Sequence, residues 1–303
     1  MVRIFALSVI VVFALALNCA AQTRPRPIRI AFLDFGNSPT GRRVADQLAD
    51  AIASYSRTAH DARDQFQVID RDQARAAALG SGYRGSLNLA LQEARDLGSA
   101  IGCDFFFTGD AKTERRSPAD GPPYFESYVA IYLVSARTGK LALWERPSVR
   151  RNTPGEGERI LLQELVAEDA LYRYRRQIQR ALEDEQAERA SAIERSAPVI
   201  EALSDDQSDA GNGVQAPRPY RRLKPPYPES AARAEIEATV DVLVDIDAHG
   251  EVGRVEVARW AGYALDQSVV DTVRQLHFFP AQRDGAAIPI RVLLRYNFRK
   301  PPK

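Results

Sequence analysis

The chain of 303 residues is poor in the side chains that build metal centres and cross-linked scaffolds: it has two cysteines, three histidines and one methionine. Such a set cannot furnish a zinc ribbon or a disulfide framework. Neither sign of charge dominates, because 41 Lys and Arg face 40 Asp and Glu, a formal net charge of +1. That balance gives no bulk attraction to nucleic acid or to an anionic membrane surface. Long apolar runs are scarce too. The run from Ile4 to Leu17 is broken by Ser8 and falls short of the ~20 residues a bilayer-crossing helix needs. What remains is 45% hydrophobic, enough for real cores, in a length that suits two domains.

The short apolar run after Arg3 has the dimensions of a signal-peptide core, and Cys19-Ala20-Ala21 offers small residues for cleavage before Gln22. Residues 1–21 therefore predict export and removal. An uncleaved membrane anchor and lipid attachment at Cys19 are the alternatives. After removal only Cys103 would remain; among Ile101, Phe105 and Phe106 it reads as a small buried hydrophobe.

Between residues 28 and 150 strand and helix patterns alternate. Ile28 to Leu33 and Phe66 to Ile69 read as buried strands; Val44, Leu48 and Ile52, and later Leu87, Leu91, Ala94 and Ile101, recur at helical spacing. Asp104 to Thr108, Tyr124 to Ser135 and Lys140 to Glu145 complete the strands, the last two joined at Thr138-Gly139. This is an α/β domain with a mixed sheet. Residues 155–200 are densely charged with sparse, spaced leucines and predict one long helix, solvated on most of its surface and docked at its start. Residues 201–219, rich in Asp, Gly and Pro, predict a disordered linker, so the last domain is expected on a long tether.

Residues 220–301 are the most legible. After a short helix from Glu229, Val240, Val242, Val244 and Ile246 alternate with polar partners; Asp247-Ala248-His249-Gly250 turns the chain and Val252 to Trp260 returns. Leu265, Val269, Val273 and Leu276 stripe a second helix, and Ile288 to Phe298 alternates again. The whole chain is thus expected to be α+β, ending in two helices and a three-stranded antiparallel sheet.

The sequence Pro226-Tyr227-Pro228, Ala231, Val244-Asp245-x-Asp247-x-x-Gly250, Gly262, Leu265-Asp266, Val269, Val273, Phe278-Phe279-Pro280-Ala281 and Gly285 closely resembles the C-terminal domain of TonB-family proteins. The resemblance implies a periplasmic module that binds an extended segment of an outer-membrane TonB-dependent receptor beside its last long strand. It places Arg291, Leu293 and Arg295 on that strand's outward face and Lys224 near the receptor peptide. An exposed last strand would present unpaired N–H and C=O groups to a guest. Alternating apolar residues are also simply a core pattern, and every small sheet has edges.

The chain departs from an energy-coupling TonB. Its apolar run is short and cleavable, its spacer has few prolines, and a folded domain precedes the spacer, so inner-membrane motor proteins are expected as partners only if the N-terminal helix is retained. The first domain more loosely resembles the N-terminal α/β domain of CsgG-like and TolB-like periplasmic proteins, through Ile30-Ala31-Phe32-x-Asp34-Phe35, Val68-Ile69-Asp70-Arg71, Ile101-Gly102-Cys103-Asp104 and Thr138-Gly139-Lys140. That resemblance implies envelope assembly or scaffolding, the alternative function, in which sheet edges serve self-association, including a homodimer, or partner binding without energy transduction.

Catalytic and cofactor motifs fail on inspection. Gly80-Ser81-Gly82-Tyr83-Arg84-Gly85 has dinucleotide-fingerprint spacing but follows an alanine-rich helical stretch rather than a strand. His60, His249 and His277 lie far apart, and Asp34, Asp70 and Asp104 at strand ends read as caps or turn formers. The expectation is a non-enzymatic periplasmic protein without cofactor, metal or nucleic-acid partner.

Overall fold

A computed structural model describes residues 26–58, 65–194, 201–203 and 214–300. The N-terminal segment 1–21, with its export reading, and His60 lie outside the described residues. Among the described residues no helix is long and apolar enough to cross a membrane.

The first domain opens with β1 (Ile28–Phe35) and α1 (Pro39–Thr58), followed by β2 (Phe66–Val68), α2 (Arg71–Gly80) and α3 (Leu91–Ile101). Long strands β3 (Phe105–Arg116) and β4 (Tyr124–Ser135) then form a hairpin, with β5 (Leu141–Glu145) and β6 (Ser148–Arg151) beyond it. The sheet order is β2-β1-β3-β4-β5, with β6 also on β4; β1 is parallel to β2 and β3, and the other pairings are antiparallel. The mixed sheet expected from the alternating patterns is present.

Of Asp34, Asp70 and Asp104, which the sequence suggested as caps or turn formers, Asp70 is a helix cap and the other two bind distant partners. Asp70 caps α2 by accepting from the Gln73 amide at 2.9 Å, and Asp104 accepts from the Arg29 amide at 2.9 Å. Asp34 is held by Arg71 and Arg75, whose guanidiniums keep its carboxyl below the usual range. The Gly80–Gly85 stretch ends α2 in a turn, not a strand-to-helix crossing.

The segment from 155 onward is two helices, not one: α4 (Pro154–Leu165) and α5 (Glu168–Glu194). Thr153 caps α4, with Pro154 in its first turn, a start signal that the density of charge masks. As expected, α5 is exposed on most of its surface and docks along one stripe near its start. Leu161, Leu165, Ala170, Tyr174 and Ile178 are buried with α1 against one face of the sheet. Tyr174 meets Phe107 edge-on at 5.6 Å. Further on, buried Glu185 accepts from the Ser135 hydroxyl at 2.5 Å, and Lys140 reaches Glu188 at 2.7 Å. Charged residues spaced along an otherwise polar helix thus find partners at the end of β4 and in the turn that leads to β5.

The spacer also departs from expectation. Residues 204–213 lie outside the described residues, but β7 (Glu201–Leu203), β8 (Val214–Gln215) and β9 (Arg218–Pro219) pair with the last domain. These contacts use backbone groups and need no apolar pattern, so composition does not announce them.

The last domain comprises α6 (Glu229–Arg233), β10 (Ala238–Ile246), β11 (Val252–Arg259), α7 (Leu265–Val273), β12 (Phe278–Phe279), β13 (Ala281–Arg283), β14 (Ala286–Ile288) and β15 (Ile290–Phe298). Its main sheet runs β11-β10-β15-β7, antiparallel except for the parallel β15–β7 contact. Val240, Val242, Val244 and Ile246 face α7 through Leu265, Val269 and Val273, all essentially inaccessible. The two helices and three antiparallel strands expected from the sequence are therefore in place.

This domain does not hang free. A single apolar core runs from the α2–α3 face of the first sheet into it. Trp260, 1% exposed, packs on Tyr132 with ring centroids 5.5 Å apart, and its indole N–H donates to the Gly139 carbonyl at 3.0 Å. Trp144 packs on Tyr263 at 4.7 Å. The Gly262 backbone, at φ +74°, lies so close to Trp144 that a Cβ there would come within 2.6 Å of the indole. A glycine is needed there both for its left-handed backbone and for that approach.

Candidate functional site

Strand β15 owes its place to period-two patterning. Ile290, Val292, Leu294, Tyr296 and Phe298 share the core face of β10, as the pairs Ile290–Ile246, Val292–Val244 and Leu294–Val242 show. Arg291, Leu293, Arg295 and Asn297 therefore fall on the other face, opposite Asp245, Leu243, Asp241 and Thr239.

That outer face is an ionic ladder. Arg291 clamps Asp245 through two bonds of 2.5 and 2.8 Å, and Arg295 clamps Asp241 at 2.8 and 3.2 Å. Asp241, 5% exposed, also meets Arg259 at 3.4 Å. Hydrogen bonding to Asp245 raises the Arg291 guanidinium above its ordinary range. Both arginines lean onto β10 rather than out over the far side of β15, so their heads brace the strand. Between them Leu293 and Leu243 form an apolar cross-strand pair.

The far side of β15 divides in two. Ile290, Arg291 and Val292 are paired with β7. From Leu293 to Phe298, no strand among the described residues lies on that side. The open stretch thus offers a row of backbone donors and acceptors.

Lys224 is exposed on the arm before α6. No hydrogen bond or ion pair joins it to β15 among the described residues. Its arm nevertheless reaches the strand: the Tyr227 ring packs 6.0 Å from that of Phe298, and the Tyr227 hydroxyl donates to the Ile236 carbonyl at 2.5 Å. The sequence-derived residues therefore split into three on β15 and one on the arm before α6.

The opposite edge of the sheet is built differently. The Asn88 amide donates to the Thr239 and Trp260 carbonyls at 2.8 and 2.6 Å and accepts from the Thr239 amide at 3.1 Å. The Trp260 amide donates to Leu89 at 3.3 Å, and Ala90 bridges to Arg259. Asp266 accepts from the Ala261 and Gly262 amides at 2.8 and 2.9 Å; burial outweighs these donors and pushes its carboxyl up to about 6. A cavity of about 360 Å³ opens between the domains, lined by Leu91, Lys140, Glu188, Arg254, Val255 and Trp260. Sequence reading missed Asn88, Trp260 and Asp266 because their partners are more than a hundred residues away or are backbone groups. For Asp241 and Asp245 a signal existed, since each stands opposite an arginine once β10 and β15 are aligned.

Cys103 is half-buried, and burial raises its thiol to about 12, far from a reactive thiolate. His277 sits beside Glu251 at 3.0 Å, and His249 lies in the β10–β11 turn. Among the described residues no cluster of His, Cys, Asp or Glu could hold a metal ion.

Residues 224–299 match the family model described as the Gram-negative bacterial TonB protein C-terminal. Over that stretch the chain has the pattern of a TonB C-terminal domain. Among solved structures it is similar to the Pseudomonas aeruginosa TonB C-terminal domain, at 22% identity over 33% of this chain and 96% of that one, with a TM-score of 0.26. It is also similar to lipoprotein GNA1162 from Neisseria meningitidis, at 14% identity over 48% of this chain and 99% of that one, with a TM-score of 0.31. A third is the hypothetical protein CT253 from Chlamydia trachomatis, at 10% identity over 48% and 96%, with a TM-score of 0.33. No curated protein matches. The resemblance of the first domain to CsgG-like and TolB-like proteins gains no support from these comparisons.

Proposed function

We propose that this is a periplasmic, non-enzymatic protein whose TonB C-terminal domain binds an extended segment of an outer-membrane TonB-dependent receptor. The guest adds as a strand along Leu293–Phe298. The observation that carries this reading is the open side of β15 in a domain of that family. Main-chain hydrogen bonds would supply affinity, and alternate side chains specificity. Lys224 is exposed on the arm whose Tyr227 packs against Phe298, and we assign it contact with the guest chain. Arg291 and Arg295 act by holding β15 flat on β10, and Leu293 offers the guest apolar contact. Residues 28–150 form one domain, residues 220–301 the other, and the docked interface makes them a single unit in which the first domain orients the second.

Adjacent strand residues aim their N–H groups to opposite sides. Of Leu293→Pro and Leu294→Pro, one removes a donor to β10 and the other a donor to the guest. The test titrates each variant with a synthetic peptide carrying a receptor's extended segment and follows its melting in parallel. One variant should keep its melting temperature and lose the peptide. Unchanged peptide binding in both would refute strand addition at this edge.

A further inference from the structure

The near-neutral total charge conceals a local excess. From Val214 to Pro228 the chain carries Arg218, Arg221, Arg222 and Lys224 and not one Asp or Glu. All four cations are exposed. Among the described residues none of the four is held in an ion pair, whereas Arg259, Arg291 and Arg295 of the same domain all are. The arm is tied to His277, whose carbonyl accepts from the Tyr220 amide at 2.8 Å and whose ring sits beside Glu251 at 3.0 Å.

Two large rings stand out of the surface at the same place. Tyr220 is 59% and Phe279 55% exposed, with centroids 4.4 Å apart. The β9–β12 register pairs Phe279 with Arg218, so the rings share a face with that guanidinium. Phe278, one residue earlier, is buried and anchors the ladder. A β-ladder with one ring inside and the next displayed in water, beside four unpartnered cations, has the make-up of a bilayer interface. There, aromatic rings settle at headgroup depth and guanidiniums fork onto phosphates.

We propose that the arm Arg218–Lys224, together with Phe279, is a docking surface for the anionic phospholipid headgroups of a bilayer. Each basic side chain near such a surface strengthens binding about fivefold, so the cluster acts collectively. The attraction is short-ranged, falling off within the Debye length of ~8 Å at physiological ionic strength. The remainder of the balanced surface neither helps nor hinders it.

The test uses the full chain and its Arg218→Glu/Arg221→Glu/Arg222→Glu variant, so that any contribution from the first 25 residues is common to both. Each is sedimented with vesicles of phosphatidylglycerol and phosphatidylcholine. The variant should keep its circular dichroism and melting temperature and lose on the order of 100-fold in affinity. Wild-type binding should weaken steeply as ionic strength rises from about 0.01 M to about 0.15 M. A Tyr220→Ala/Phe279→Ala variant should bind several-fold more weakly while retaining that salt dependence. Equal affinities of wild type and triple variant for the anionic vesicles would overturn the proposal. So would tight wild-type binding to a polyglutamate peptide or an oligonucleotide that the vesicles fail to compete.

Discussion

The two edges of the C-terminal sheet have opposite fates. At the β11 edge, Leu89 and Ala90 meet Trp260 and Arg259 through the backbone, Asn88 reads three main-chain groups, and Trp260 is sunk against Tyr132. At the β15 edge only Ile290 to Val292 have a neighbour, and the stretch to Phe298 is open. A small sheet with two exposed edges invites indiscriminate pairing. The first domain engages the Arg259–Trp260 end of the β11 edge, while among the described residues β15 has no strand beside it from Leu293 onward, so the two edges differ in what holds them.

That contrast is broken most severely at Trp260. Trp260→Ala removes a fully buried indole and its bond to Gly139 and should cost about 3–5 kcal/mol. In calorimetry the single unfolding transition should split, the last domain melting first. A next test is electrostatic. The Asp266 carboxyl, at about 6 when folded against an ordinary value of 3.8, binds its proton more tightly folded than unfolded. Its contribution is fully present below about pH 4 and is lost as pH rises through about 6, an effect of up to about 3 kcal/mol. Asp266→Asn should therefore gain on wild type as pH rises across that window, in parallel denaturation curves. Asn88→Ala leaves the Thr239 amide and two carbonyls without their partner and should cost about 1–3 kcal/mol in chemical denaturation. Arg291→Ala sharpens the other side of the contrast. It severs a partly exposed pair and should cost no more than about 1 kcal/mol, read as a small shift in the denaturation midpoint.

The sequence disclosed the periodic parts of the molecule and concealed the relational ones. The alternation in Ala238–Ile246 and Ile290–Phe298 prescribes two strands with one buried face each, and the Leu265–Val273 stripe supplies the helix that covers them. The open strand could be anticipated because it is the last long element of a small sheet. What could not be read was which side chains the fold would bring together over distance. Trp260-Ala261-Gly262 looks like the frayed end of a hairpin until Tyr132 and Trp144 are placed against it. Residues Glu201–Leu203 look like spacer because a three-residue backbone pairing leaves no mark on composition. The helix break at Val166 is similarly silent, having neither glycine nor proline. Overall neutrality, a correct inference from the totals, said nothing about the run of unpaired cations between residues 218 and 224.

The registry of β15 with β10 is continuous over nine residue pairs from Ile290–Ile246 to Phe298–Ala238. A chain laid alongside β15 and tugged along its axis loads that ladder in shear, so the tension is shared by the whole row at once instead of unzipping it rung by rung. The Arg291–Asp245 and Arg295–Asp241 clamps cross the same seam and resist sliding in the same direction.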